Sequence, residues 1–214
     1  MKVLIACEYS GTVRDAFIKL GHEAMSCDLL PTDVPGPHYQ GDVFDIIDQG
    51  WDLMIAHPPC TYLTVSGASW FYHPEDKGLP MVERRPHPRY PNRRQDQKEA
   101  LVFFIKLASV NIPKIAVENP VGIISTHWRK PDQIIQPWMF GDEASKGTCL
   151  WLKGLPKLIP TKIVGRGEFL TFKSGKSRSK WFSDALTLPP LERMKVRSKT
   201  FQGIADAMAS QWGV

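Results

Sequence analysis

The chain has no uninterrupted apolar run of about 18 residues, so it presents no candidate for a membrane-spanning helix. Its opening stretch, MKVLIACEYSG, lacks a long apolar segment ending at a small-residue cleavage site, and reads as a first strand rather than a secretion signal. Cysteine is scarce. The four residues Cys7, Cys27, Cys60 and Cys149 form no CxxC pair, which argues against a disulfide framework and a cysteine-rich zinc site. His57 stands near Cys60, but no second ligand pair follows at a suitable spacing, so no metal is expected. A cytoplasmic protein with reduced thiols fits this usage best. Neither GxGxxG nor GxxxxGK[ST] occurs, which removes the phosphate cradles of dinucleotide-binding folds and P-loop NTPases. There is also no internal repeat, heptad array or low-complexity tract.

What remains is a globular composition: 214 residues, 43% hydrophobic and 23% charged, long enough for one domain with a sizeable core. A net charge of +5 and a pI near 9.0 are compatible with a polyanionic partner. Strand and helix signals alternate through the first half. KVLIAC reads as a strand, GTVRDAFIKLG as a helix closed by Gly21, and HEAMSCD as a second strand. LLPTDVPGPHYQGD reads as a loop, VFDIIDQG as a short helix and WDLMIAH as a strand. QKEALVFFIKLASVN is an amphipathic helix and PKIAVEN a strand. Later, TCLWLKGLP reads as a strand, FLTFKSGKSRSKWF as a strand entering a basic loop, and SKTFQGIADAMASQWG as a closing helix. Strands joined by crossover helices imply a parallel sheet with right-handed connections, hence an α/β class.

Parallel sheets bind ligands beyond the C-terminal ends of their strands. Glu8, Asp28, Asp42, Cys60 and Glu118 all fall at such ends, Asp42 most loosely, and together they describe one rim. The acidic series would repel pyrophosphate yet accept hydrogen bonds from hydroxyl and amine groups, while Gly11 allows a tight turn and close approach. Pro58 and Pro59 fix two φ angles just before Cys60, which suits either a directed nucleophile or a strand end with a buried thiol. Two segments look like inserted loops in a single domain spanning 1–214: about 65–95 and about 165–198. The first carries Arg84, Arg85, Arg93 and Arg94, and the second Lys176 and Arg178, so both are expected to meet phosphates.

HPPC after one strand and VENP after the next helix and strand resemble the DNA cytosine-5 methyltransferase family. SCD at Asp28 and GD at Asp42 are similar to its second and third cofactor motifs, and ACEYSG is a divergent counterpart of its glycine-rich first motif. SKTFQGIADAMASQW resembles its last motif, a helix closing the cofactor pocket. The resemblance covers about residues 2–150 and the final 15 or so. It implies a Rossmann-like class I fold and methylation of cytosine in DNA at carbon 5, with S-adenosylmethionine as cofactor. Cys60 would be the nucleophile and Glu118 the carboxylate that grips the base, with Pro59 and Asn119 beside the substrate. Glu8, Gly11, Asp28, Asp42 and Pro58 would hold the cofactor.

The chain also departs from that family. The Gln-x-Arg-x-Arg motif is missing, with GDEASKGTCLWLKG near its place, and a large target-recognition domain is missing too. The residue after Glu-Asn is proline. These features resemble small, phage-type members. They leave open modification of free cytosine nucleotides, transfer of a non-methyl group, or an idle nucleic-acid-binding protein.

Overall fold

The computed structural model describes residues 1–65 and 67–214. Its first strand, β1 (Lys2–Ala6), buries Val3 through Ala6 completely, as a strand covered on both faces must. Helix α1 (Thr12–Lys19) starts at Gly11, whose φ of 72° lies in the left-handed region. Strand β2 (Glu23–Asp28) returns beside β1, and β3 (His38–Gln40) pairs with β2. Strand β4 (Leu53–Ala56) lies on the other side of β1. Helix α2 (Arg93–Ala108) then crosses over to β5 (Lys114–Pro120), which pairs with β4. A one-turn helix α3 (Ile124–His127) precedes β6 (Gln133–Ile135) and β7 (Thr148–Lys153). The rest comprises a hairpin of β8 (Phe169–Thr171) and β9 (Ser177–Ser179), then α4 (Lys180–Thr187), α5 (Pro190–Ser198) and α6 (Gln202–Trp212).

The main sheet has the order β3-β2-β1-β4-β5-β7-β6, parallel except for β7, which runs against both neighbours. This is an α/β fold of Rossmann-like type, a mostly parallel sheet flanked by helices. The strand order reverses between β1 and β4, where a doubly wound sheet opens a crevice. Side chains alternate across the strands. Val3, Ile5, Leu53 and Ile55 face α1 and α6 through Phe17, Ile204, Met208 and Trp212. Leu4, Met54, Ile115 and Trp151 face α2 through Phe104 and Leu107.

Several elements differ from the sequence-based expectation. Strand β3 lies inside the Pro/Gly stretch, too short for any alternation to show. The expected helix after Asp42 is only a 3-10 turn over Val43–Asp45, capped by the Asp42 carboxylate through the Phe44 N–H at 3.0 Å. The basic segment 165–198 is largely ordered as the hairpin, α4 and α5. Pro190 at the start of α5 is well suited to a first helical turn. Strand β6 has three residues and no pattern of its own; it exists because β7 offers it a partner. No helix among the described residues is long and apolar enough to cross a membrane.

Helix α6 returns against α1, and Gly203 lets it approach the chain closely. A Cβ there would lie 1.8 Å from the Phe140 carbonyl oxygen, a backbone atom that cannot turn aside. Gly203→Ala should therefore destabilise the protein by about 2–3 kcal/mol, lowering the melting temperature by roughly 5–10 °C. Calorimetry checks this, and an unchanged transition would contradict the packing.

Candidate active site

The site originates in the register of two adjacent strands. Leu53 to Ala56 pair in parallel with Lys114 to Val117, one residue at a time. Continued by one step, that register sets His57 beside Glu118, and His57 Nδ1 lies 3.3 Å from Glu118 Oε2. A second step sets Pro58 beside Asn119, whose buried amide donates to the Pro58 carbonyl at 2.9 Å. Pro58 and Pro59 then carry the chain stiffly to Cys60, and Leu63 and Thr64 donate their N–H groups back to the Cys60 carbonyl at 3.0 and 3.1 Å. The consequence is that Cys60 and Glu118 line one pocket of about 570 Å³, counting its open mouth, with Pro58, Pro59 and Asn119 in the same wall. Its enclosed part is small, about 100 Å³.

The electrostatics of the pair oppose each other. Burial pushes the Cys60 thiol above its usual value, and the Glu118 charge adds to that; Lys146 and Arg197 pull it back. Burial alone would raise the Glu118 carboxyl as well, but the His57 hydrogen bond and the Lys146 charge outweigh it and hold the group below its usual range. Lys146 therefore faces both groups. Its ammonium also donates to the Arg197 carbonyl at 3.0 Å, tying the segment before β7 to the end of α5.

Neither Lys146 nor Arg197 is marked by any pattern recognised in the sequence. The one available signal for Lys146 was its place in GDEASKGTCLWLKG, where an arginine-bearing motif was missing. Arg197, Ser198, Lys199 and Thr200 line the pocket because α5 folds back over the β1–α1 turn. Tyr9 hydroxyl meets Ser198 Oγ at 2.8 Å, and Lys195 pairs with Asp33.

The acidic residues divide in two. Glu8 lines the pocket, yet its carboxylate also caps α1, accepting from the N–H groups of Val13 at 2.8 Å and Arg14 at 3.2 Å. Cys7, in the left-handed region at φ 58°, turns the chain so that Glu8 points that way, at a cost of about 1–2 kcal/mol. Gly11 is covered: a Cβ there would meet Arg14 and Val34 side-chain atoms at 2.6 Å. Asp28 and Asp42 lie outside the pocket wall. Asp28 accepts from the Leu30 N–H at 2.9 Å, and burial raises its carboxyl.

The arginines of the first insert are mostly turned to internal use. Arg93, expected at a phosphate, is instead buried at 6% exposure among the rings of Tyr62, Phe71 and Tyr90, and donates to the Thr61 carbonyl at 2.9 Å. A guanidinium stacked in this way braces the residue next to Cys60 rather than facing solvent. Arg85 grips Asp76, whose carboxyl is held down at about 2, and Arg84 donates to the Leu79 and Lys77 carbonyls. Arg94, Lys176 and Arg178 are exposed. All four cysteines are free thiols, and no cluster of three metal-ligating side chains occurs among the described residues.

No family model matches this chain, and no curated protein does. Among solved structures, it is similar to an E. coli prophage-encoded protein provisionally described as a DNA modification methyltransferase, with a TM-score of 0.46 and 14% identity. The match covers 89% of this chain and 56% of that one, so this chain spans little more than half its length.

The charges around Cys60 make a testable pattern. The alkylation rate of Cys60 by iodoacetamide, followed by peptide mass spectrometry across pH, should begin to rise at higher pH than for an ordinary thiol. Glu118→Gln should move that rise to lower pH and Lys146→Met to higher pH. Shifts of the same sign, or none, would contradict the arrangement.

Proposed function

We propose that this chain is an S-adenosylmethionine-dependent DNA methyltransferase that acts on carbon 5 of cytosine through a covalent bond to Cys60. The observation that carries the reading is the shared pocket, in which a half-buried thiol and a half-buried carboxylate are delivered by neighbouring strands. One side chain can attack a ring while the other grips its edge.

A cytosine placed there would present its exocyclic amine to Glu118, which accepts from it. The Cys60 proton leaves to solvent and the sulfur bonds to carbon 6, moving the electron pair of the 5,6 double bond onto carbon 5. Lys146 and Arg197 favour the thiolate that this step requires. Carbon 5 then bonds a methyl group. Loss of its proton restores the double bond as the sulfur departs.

S-adenosylmethionine, when bound, would supply that methyl group as an electrophile, the sulfonium–methyl bond breaking to leave a neutral thioether. The residues present fit such a ligand. Glu8 already occupies the N-terminal N–H groups of α1, so a pyrophosphate would meet a carboxylate there, whereas an amine or hydroxyl would be accepted. Glu8 and Pro58, in the pocket wall, would hold the near end of the cofactor, and Asp28 and Asp42, beyond that wall, its far end, with Gly11 keeping the turn tight. DNA would lie across Arg94, Lys176 and Arg178, while Arg93 braces the residue after Cys60 and Arg84 and Arg85 hold the turn around Asp76. If the target base comes from a duplex, flipping it out costs a few kcal/mol, offset by phosphate contacts.

The test is incubation with labelled S-adenosylmethionine and either DNA or free deoxycytidine nucleotides, followed by nucleoside analysis. Label should appear as 5-methyldeoxycytidine in DNA, and Cys60→Ser should lower the rate by at least about 1,000-fold. Label confined to free nucleotides, or equal activity in the variant, would overturn the reading.

A further inference from the structure

His57 is the residue for which the proposed chemistry has not accounted. It sits just past the end of β4, its ring largely covered, and it lines the pocket alongside Glu118. Its Nδ1 faces Glu118 Oε2 at 3.3 Å, while its Nε2 is buried with no hydrogen-bond partner among the described residues. An imidazole in which only Nδ1 meets a carboxylate carries its proton there, because an N–H buried at Nε2 would have nothing to donate to. Free imidazole side chains favour the other tautomer, so Glu118 and the burial of Nε2 together select this one. The remaining groups around Glu118 are Lys146 from the segment before β7, Cys60 from the loop after β4, and Cys149 on β7. Of these, only the Lys146 charge and the His57 proton favour the ionised carboxylate.

We infer that His57 is a positioning residue: its Nδ1 proton fixes one oxygen of Glu118 and leaves the other turned toward an exocyclic amine. An acceptor-only carboxylate suits a base with an amine at that edge and disfavours one with a carbonyl there. The pair thus contributes to the choice of cytosine over thymine or uracil. The inference rests on the proposed function for the identity of the base. The pair itself follows from the strand register.

Two variants separate the hydrogen bond from simple packing. His57→Asn keeps an N–H close to the position of Nδ1, and His57→Phe keeps the ring but removes the proton. Turnover on DNA should fall about 10- to 100-fold in His57→Phe, with much of the loss restored in His57→Asn. Equal rates in the wild type and His57→Phe, or equal losses in both variants, would overturn the inference.

Imidazole nitrogen NMR at about pH 8 tests the pair without any DNA. The spectrum should place the His57 proton on Nδ1 in the wild type and return it to Nε2 in Glu118→Ala. A wild-type proton on Nε2 would overturn the inference even in an active enzyme. If NMR shows the Nδ1 proton but no DNA is methylated, the pair stands and the cytosine reading alone fails.

Discussion

The ladder between β4 and β5 is the constraint on which the site depends. Four backbone pairings fix the two strands in register, and the next two residues on each strand inherit that alignment as side-chain contacts. A slip by one residue would send Glu118 to the opposite face and leave the Asn119 amide without the Pro58 carbonyl. Burial protects the register. Every residue of β4 is fully buried, and Ile115, Ala116 and Val117 of β5 are nearly so, so the slip would expose or misplace a whole core layer. The precision of the pocket is thus a by-product of hydrophobic packing several residues away.

On this base the chain assembles a charge arrangement with two opposed demands. In the proposed reaction a thiol loses a proton beside a carboxylate, in a wall where burial penalises both charges. Lys146 reconciles them because it faces both groups, and it is held in place by the Arg197 carbonyl. That contact makes the electrostatics depend on α5, which lies against the β1–α1 turn through Tyr9, Ser198, Lys195 and Asp33. The far end of the chain therefore completes the site. Arg93 does comparable work for the first insert, bracing Thr61 from within an aromatic cage.

How much of this was legible in the sequence follows from the range of each signal. The apolar runs of β1, β4 and β5 and the proline-flanked Cys60 are local, and they mark the central strands and the two side chains, Cys60 and Glu118, that share the pocket. The α/β class followed from them. Strands β3 and β6 were not legible, since three residues carry no period, and α4 and α5 were hidden behind a dense run of basic residues. Lys146 and His57 were missed as partners because their roles arise from residues far away in the chain. Arg93 was misplaced because a charged side chain in a basic run is read as solvated, and only the three rings around it reverse that reading. A helix-capping carboxylate such as Glu8 looks the same in sequence as a ligand-binding one.

The central claim is that Cys60 and Glu118 act on one pyrimidine between them. DNA containing 5-fluorocytosine tests it most directly, because fluorine replaces the proton whose loss releases the sulfur. Incubated with the protein and S-adenosylmethionine, such DNA should remain covalently attached, and digestion should place the link on the peptide containing Cys60. No adduct on any DNA tested, or a link through another residue, would contradict the account.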